Sequence, residues 1–346
     1  MNIFDLVTSV EIASYWEMLE QDRAPYIGEE LFPDAKKLGL DLKWIKGSKG
    51  LPIVLKPSEF DVKAIPRPRI GFSALMAEMP FFKESMYIDE ELRQQLNMVA
   101  ESNNQAYIDT IMNKIMDDQT ALLEGARAQR ERMRQMALTT GLISITANGV
   151  TLDYDYGLPT ANKKETTKAW SDPSASIIDD IRTWQDEIED ATGVRPTRAE
   201  CNRKTWGYIL KNTELRNAIL GNNSGVPVSD TLVTNYLLEN LDLSVVVNSK
   251  RYTNEKGQAK RYVPDDTFVL FPTGALGNTW FGTTPEESDL MSSSAANVSI
   301  VDTGVAITTI QHSDPVNVET KVSQICLPSF EAIDSVIIAD VSHTGE

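Results

Sequence analysis

The feature that most limits what this 346-residue chain can fold into is a helical pattern over residues 100–138. Ile108, Ile111, Met112 and Ile115 form one apolar stripe, and Leu122, Ala126, Met133 and Ala137 carry it on at three- and four-residue steps. Gly141 supplies the stop. At 1.5 Å per residue such a helix is about 55–60 Å long, longer than a small domain is wide. Arg127, Arg130 and Arg134 share one face of its last turns, where cations offset the helix dipole. That spacing favours a solvated or salt-bridged face over a nucleic-acid stripe.

The segments before the helix divide by charge. Residues 1–35 hold eight acids against Arg23 alone, a net of −7, among them Glu17, Glu20, Glu29 and Glu30. Residues 36–70 hold nine bases against three acids, a net of +6. An acidic arm followed by a basic arm can complement another copy of the chain, or the two can be separate solvated surfaces. Ile3, Leu6, Val7 and Val10, then Tyr15, Trp16 and Leu19, predict a short helix; Pro25, Gly28 and Pro33 break it into an extended strap with Tyr26, Ile27, Leu31 and Phe32. Residues 38–75 alternate apolar and basic residues around Pro52, Pro57, Pro66 and Pro68, which predicts a long two-stranded projection with no core of its own.

After the long helix, ISITANGVTLDYD (143–155) is a hairpin turning at Asn148-Gly149. Helices are expected over IIDDIRTWQDEIEDATG, ending at Gly193, and around 203–220 and 229–239, followed by two strands around Glu255-Lys256-Gly257. Residues 297–341 read as strands. The mixture predicts an α+β fold. No apolar run approaches the roughly 20 residues needed to span a bilayer, and no membrane partner is expected. Cys201 and Cys326 suggest buried thiols in a reducing compartment.

Catalytic chemistry finds little material. The chain has two histidines, His312 and His343, and no phosphate-loop, nucleophile-elbow or zinc-protease motif. Asp153, Asp155 and Gly157 open like a calcium loop, but its twelfth position is Lys164 where a bidentate Glu belongs. Asp265-Asp266 follows Pro264 and precedes an apolar strand; adjacent strand residues face opposite sides, so Pro-Asp-Asp reads as turn chemistry. No catalytic, metal or cofactor site is expected. The formal net charge of −17 opposes nucleic-acid binding over the general surface.

The order and spacing of several segments resemble the major capsid proteins of tailed bacteriophages, in the lambda-type branch of the phage major capsid protein E family. They are LKPSEFDVKAIPRPRIGF (55–72), residues 112–149, KAWSDPSASIIDDIRTW (168–184), VVVNSKRYTNEKGQAKRYVPDDTFVLFPTG (245–274) and residues 313–341, so that nearly the whole chain is covered. The resemblance implies an HK97-like fold: an N-terminal arm (1–37), an extended loop (38–75), a peripheral domain with its first part at 76–189 containing the spine helix (100–138), an axial domain (190–300) and C-terminal peripheral strands (301–346). It implies a non-enzymatic protein of the virion, assembled in the host bacterial cytoplasm as hexamers and pentamers of an icosahedral shell. That shell would enclose double-stranded DNA without sequence-specific binding. Expected partners are other copies, a separate scaffolding protein (since the chain starts almost at the arm), a portal and a decoration protein. Lys43, Lys46, Lys49, Lys56, Lys63, Arg67 and Arg69 would meet Glu17, Glu20, Glu29 and Glu30 of neighbouring copies. The rivals are an encapsulin-like nanocompartment shell and a carboxylate hydrolase using Asp266 with Glu286 or Glu287.

Overall fold

A computed structural model describes residues 7–20, 23–46, 73–88, 90, 94, 98, 105–221, 227–290, 296–314 and 316–342. These fall into two compact units. The first holds the described residues of 1–42, 77–134 and 278–329, the second those of 43–76, 135–277 and 330–346.

In the first unit, helix α1 (Ser9–Glu20) starts with a reciprocal cap. The Thr8 N–H donates to Glu11 Oε2 at 3.1 Å and the Glu11 N–H to Thr8 Oγ1 at 3.3 Å, satisfying donors that the first turn leaves open. Ile12, Ala13 and Trp16 form its buried face. The strap that follows is not wholly extended: Ile27–Leu31 forms a short helix, α2. The Tyr26 N–H donates to Glu29 Oε2 at 2.9 Å, and Leu31 and Phe32 are fully buried, so local capping and burial override the Pro and Gly signals. Helix α3 (Gln105–Thr140) is the long helix; its residues to Arg134 belong to this unit.

The unit's sheet is built around the 13-residue strand Val316–Pro328. On one side it pairs antiparallel with Val305–Ser313, which pairs in turn with Asn297–Val301. On the other side it pairs first with Phe81–Ile88, over Val318 to Ile325, and then with Thr279–Phe281. Asp34–Lys36 adds a parallel edge to Thr279–Phe281.

In the second unit, α3 ends where expected. Gly141 takes φ +72°, and its N–H donates to the Ala137 carbonyl at 2.9 Å. The hairpin Leu142–Ala147/Val150–Asp155 follows, with Asn148 and Gly149 both at positive φ, as a tight primed turn requires. A mixed five-stranded sheet runs in the order Lys163–Glu165, Ile337–Asp340, Thr267–Phe271, Arg198–Cys201, Ser244–Val247. Helix α4 (Ile177–Thr192) buries Ile177, Ile178, Ile181, Trp184 and Ile188 and stops at left-handed Gly193. Trp170 stacks on Trp184 at 5.8 Å and meets Phe268 at 5.1 Å.

The helix expected around 203–220 is two helices, α5 (Arg203–Lys211) and α6 (Thr213–Leu220). Asn212 between them is extended (ψ 129°), and its side chain accepts the Leu215 N–H at 2.9 Å, so it caps the second helix by breaking the first. Helix α7 (Asp230–Leu241) leads into the edge strand Ser244–Val247. A two-stranded ribbon follows, Arg251–Thr253 with Ala259–Arg261.

The sheets bring together segments that are far apart in the chain. Thr279–Phe281 and Asn297–Val301 join the sheet of the first unit, while the last strand, Ile337–Asp340, pairs with Thr267–Phe271 in the second. Pairing over long sequence separations decides this, and no local pattern encodes it. Strands Asp41–Lys46 and Ser73–Glu78 pair with each other, and residues 47–72 of the expected projection lie outside the described residues.

Candidate functional site

The arginine face of α3 is salt-bridged, one of the two readings expected for it, and it is buried where solvent exposure is the other. Residues 127, 130, 131 and 134 share one side of the helix at three- and four-residue steps, and carboxylates from far along the chain meet them. Arg127 holds Glu29 by a two-pronged contact, Nε to Oε1 at 2.8 Å and Nη2 to Oε2 at 3.0 Å, and its guanidinium lies 4.9 Å from the Tyr26 ring. Arg130 donates to Asp302 Oδ2 at 2.6 Å and Gln324 Oε1 at 3.1 Å. Arg134 donates to Asp34 and, at 2.8 Å, to Thr279 Oγ1. Glu131 accepts the Gly28 N–H at 3.2 Å. A Cβ at Gly28 would sit 2.3 Å from Glu131 Oε2, so α2 approaches this closely only because residue 28 has no side chain.

Further contacts keep the same order along both partners. Tyr15 donates to Asp117 at 2.7 Å and Arg23 pairs with Glu124 at 2.8 Å. The described residues of 15–34 thus run alongside α3 from 117 to 134 as a strap fastened by hydrogen bonds and charge. Burial pushes the Glu29 carboxyl up, but the hydrogen bonds from Arg127 and the Tyr26 N–H outweigh it and hold the group below its ordinary 4.5. Asp34 goes the other way: desolvation outweighs Arg134 and Arg130, and the group is raised.

The acids that could have made an active site are engaged in structure. Asp265 and Asp266 lie in a turn, with Asp266 at φ +60°. Asp265 Oδ1 accepts from Asn202 Nδ2 at 2.6 Å, and Asn202 also caps α5 by accepting the Thr205 N–H at 2.9 Å. Asp266 accepts from Lys204 at 2.7 Å and the Tyr208 hydroxyl at 2.9 Å. The turn therefore fastens the start of α5 to the start of strand Thr267–Phe271. In the other unit Glu286 accepts from Ser323 and pairs with Lys321, each at 2.8 Å, and Glu287 pairs with Lys36 at 2.6 Å. Among the described residues no group of three or more His, Cys, Asp or Glu side chains could hold a metal ion, and no helix is long and apolar enough to cross a membrane.

The expected inter-subunit residues are placed as follows. Lys43 is exposed on strand Asp41–Lys46, whose last residue is Lys46. Glu17 is exposed on α1, which Glu20 closes, and Glu30 is exposed on α2. Glu29 departs from the expectation, because its carboxylate is taken up by Arg127 of its own chain. Lys49, Lys56, Lys63, Arg67 and Arg69 lie outside the described residues. Sequence reading missed the partners of the α3 arginines: Asp34 and Asp302 carry no local signal that they face a buried cation.

The family model for phage major capsid protein E matches residues 8–341. The chain belongs to the phage major capsid protein E family. A crystal structure assigned as a capsid protein of an E. coli CFT073 prophage is similar at a TM-score of 0.60 and 15% identity, covering 96% of this chain and 99% of that one. A phage-related protein from Bordetella bronchiseptica RB50 is similar at 0.57 and 12%, covering 98% of each chain. Among curated proteins, none matches. The fold is the HK97-like capsid fold, kept over the full length at low identity. The protein is a shell-forming capsid protein of a phage virion, and its family is structural, not enzymatic. The paired acids of the supposed hydrolase site are therefore parts of a capsid protein's turns and sheet contacts.

Proposed function

We propose that copies of this chain assemble into hexamers and pentamers of a closed icosahedral shell, formed in the host cytoplasm around a separate scaffolding protein and later filled with double-stranded DNA. The observation that carries this reading is the family match over residues 8–341 on a fold kept along the whole chain. A portal and a decoration protein complete the expected partners. The arm (1–37), extended loop (38–75), spine helix, peripheral and axial regions take the roles that the fold implies. The excess negative charge keeps packed DNA from adhering to the inner wall.

Between copies, the extended-loop bases Lys43, Lys46, Lys49, Lys56, Lys63, Arg67 and Arg69 meet Glu17, Glu20 and Glu30 of a neighbour. Each exposed pair contributes about 0–1 kcal/mol, which matters through its repetition around a shell. Co-expression with the adjoining gene products, followed by negative-stain microscopy and nucleic-acid measurement, tests the reading. Closed particles that take up DNA support it; particles holding an enzyme cargo instead indicate a nanocompartment. Charge reversal at Lys46, Lys49 and Lys56 is expected to block assembly while the monomer still folds, and normal particles from that triple variant would remove the interface role.

A further inference from the structure

The second unit carries two electrostatically unfavourable features of opposite sign, close together in sequence. The first is the ribbon after the edge strand. Residues 250–261 hold five bases (Lys250, Arg251, Lys256, Lys260 and Arg261) against Glu255, a net of +4 in a chain of net −17. Its register sets Arg251 directly opposite Arg261, and like charges in direct cross-strand pairs destabilise a ribbon. Asp265 meets Arg261 at 3.5 Å, while Arg251 and Lys260 are exposed and have no ion pair among the described residues.

The second feature is the C-terminal end of α7. A helix C-terminus favours cations, yet the last turn of α7 has no base. It carries exposed Glu239 instead, and its cap is Asp242, in the left-handed region at φ +49°. Most other exposed acids on the helices of this unit have cations in their own chain: Asp179 pairs with Arg182, Asp186 and Glu189 with Arg195, Glu187 with Lys164 and Asp230 with Arg203. Glu239 and Asp242 have no ion pair among the described residues. Beside them Leu238 is 50% exposed, so the same helix end offers apolar surface with its charge.

We infer that the basic ribbon of one copy docks on the acidic C-terminal end of α7 of a neighbouring copy, Arg251 and Lys260 meeting Glu239 and Asp242. Each feature costs stability in the isolated chain, and each supplies what the other lacks. Within one chain no ion pair joins them among the described residues. A second copy is favoured over a nucleic acid because the surface around the ribbon belongs to a strongly acidic chain, which repels a phosphate backbone but includes a matching acidic patch on every copy. The inference rests on the shell reading above and adds to it a specific contact, separate from the extended loop.

The test is charge reversal and charge swap in the full-length chain, with particle yield read by sedimentation and negative-stain microscopy. R251E/K260E is expected to lower the yield of closed particles about ten-fold or more, with the circular-dichroism spectrum of the unassembled chain unchanged and its melting temperature no lower. E239K/D242K should do the same, and the four-fold variant should recover particles. The milder R251Q/K260Q covers a folding failure of the reversal; it should lower the yield and weaken its salt dependence. Wild-type yields from R251E/K260E or R251Q/K260Q, or no recovery in the swap, would overturn the contact. Normal particles that lose only their DNA would assign the ribbon to nucleic acid instead. If the wild-type chain forms no particles, the shell reading itself fails.

Discussion

Arg134 is buried at 1% side-chain exposure, and its partners Asp34, Thr279 and Glu131 are what make a buried guanidinium tolerable. Removing the buried guanidinium leaves Asp34, whose side chain is 26% exposed, without its cation, so R134A is expected to cost about 1–3 kcal/mol. Replacing both Arg134 and Asp34 by apolar residues of similar volume should cost far less. Urea denaturation of the unassembled chain distinguishes the two; equal losses would contradict the account. Gly28 makes a steric counterpart. With Glu131 Oε2 2.3 Å from where a Cβ would lie, G28A forces α2 away from α3 and should cost about 1–3 kcal/mol. The thiols give a third residue-level expectation. Cys201 and Cys326 are free and fully buried, and burial pushes the Cys326 thiol up to about 12. Neither should react with an alkylating reagent at neutral pH in the folded chain, and both should react once it is unfolded.

At the scale of elements, the strap of residues 15 to 34 along α3 carries a pH dependence whose sign is fixed by Glu29. Its folded-state value lies below the ordinary 4.5, so its stabilisation is complete above that pH and is lost as pH falls through the lowered value. Asp34, which is raised, acts in the opposite direction: it favours the folded state at low pH and loses that contribution as pH rises. Glu286 and Glu319, both lowered, add to the Glu29 trend in the same unit. The unit should therefore loosen on acidification below about pH 4.5, and E29Q should be less stable at neutral pH but show a smaller loss between neutral and acid. An unchanged acid response in E29Q would remove Glu29 as its source.

The same elements show what a sequence can and cannot display. Helix α3, the Asn148-Gly149 hairpin and the Gly193 stop were legible because periodicity and turn chemistry are local. Helix α2 was hidden by Pro25, Gly28 and Pro33, and the break at Asn212 by an otherwise continuous helical pattern. The arginine face was visible as a face, but its burial was not. Glu29, Asp34 and Asp302 reach it from about a hundred or more residues away, and such pairings follow from the assembled sheet. Asn212 itself offers a check: it caps α6 and donates to the Ala175 carbonyl at 2.7 Å, so N212A should cost about 1–2 kcal/mol.

At the scale of the whole molecule, a structural capsid protein carries its function in surfaces repeated between copies. On the proposed reading, the acidic excess, the basic segment at 38–75 and the basic ribbon at 250–261 act when identical chains meet in fixed geometry. A monomer bearing them has only scattered weak charges. Electron cryo-microscopy of the product of the chain co-expressed with the adjoining gene products tests this most directly. The account predicts closed icosahedral shells in which five-fold and six-fold clusters of this chain share one HK97-like fold. Discrete soluble monomers or small oligomers from that co-expression would contradict it.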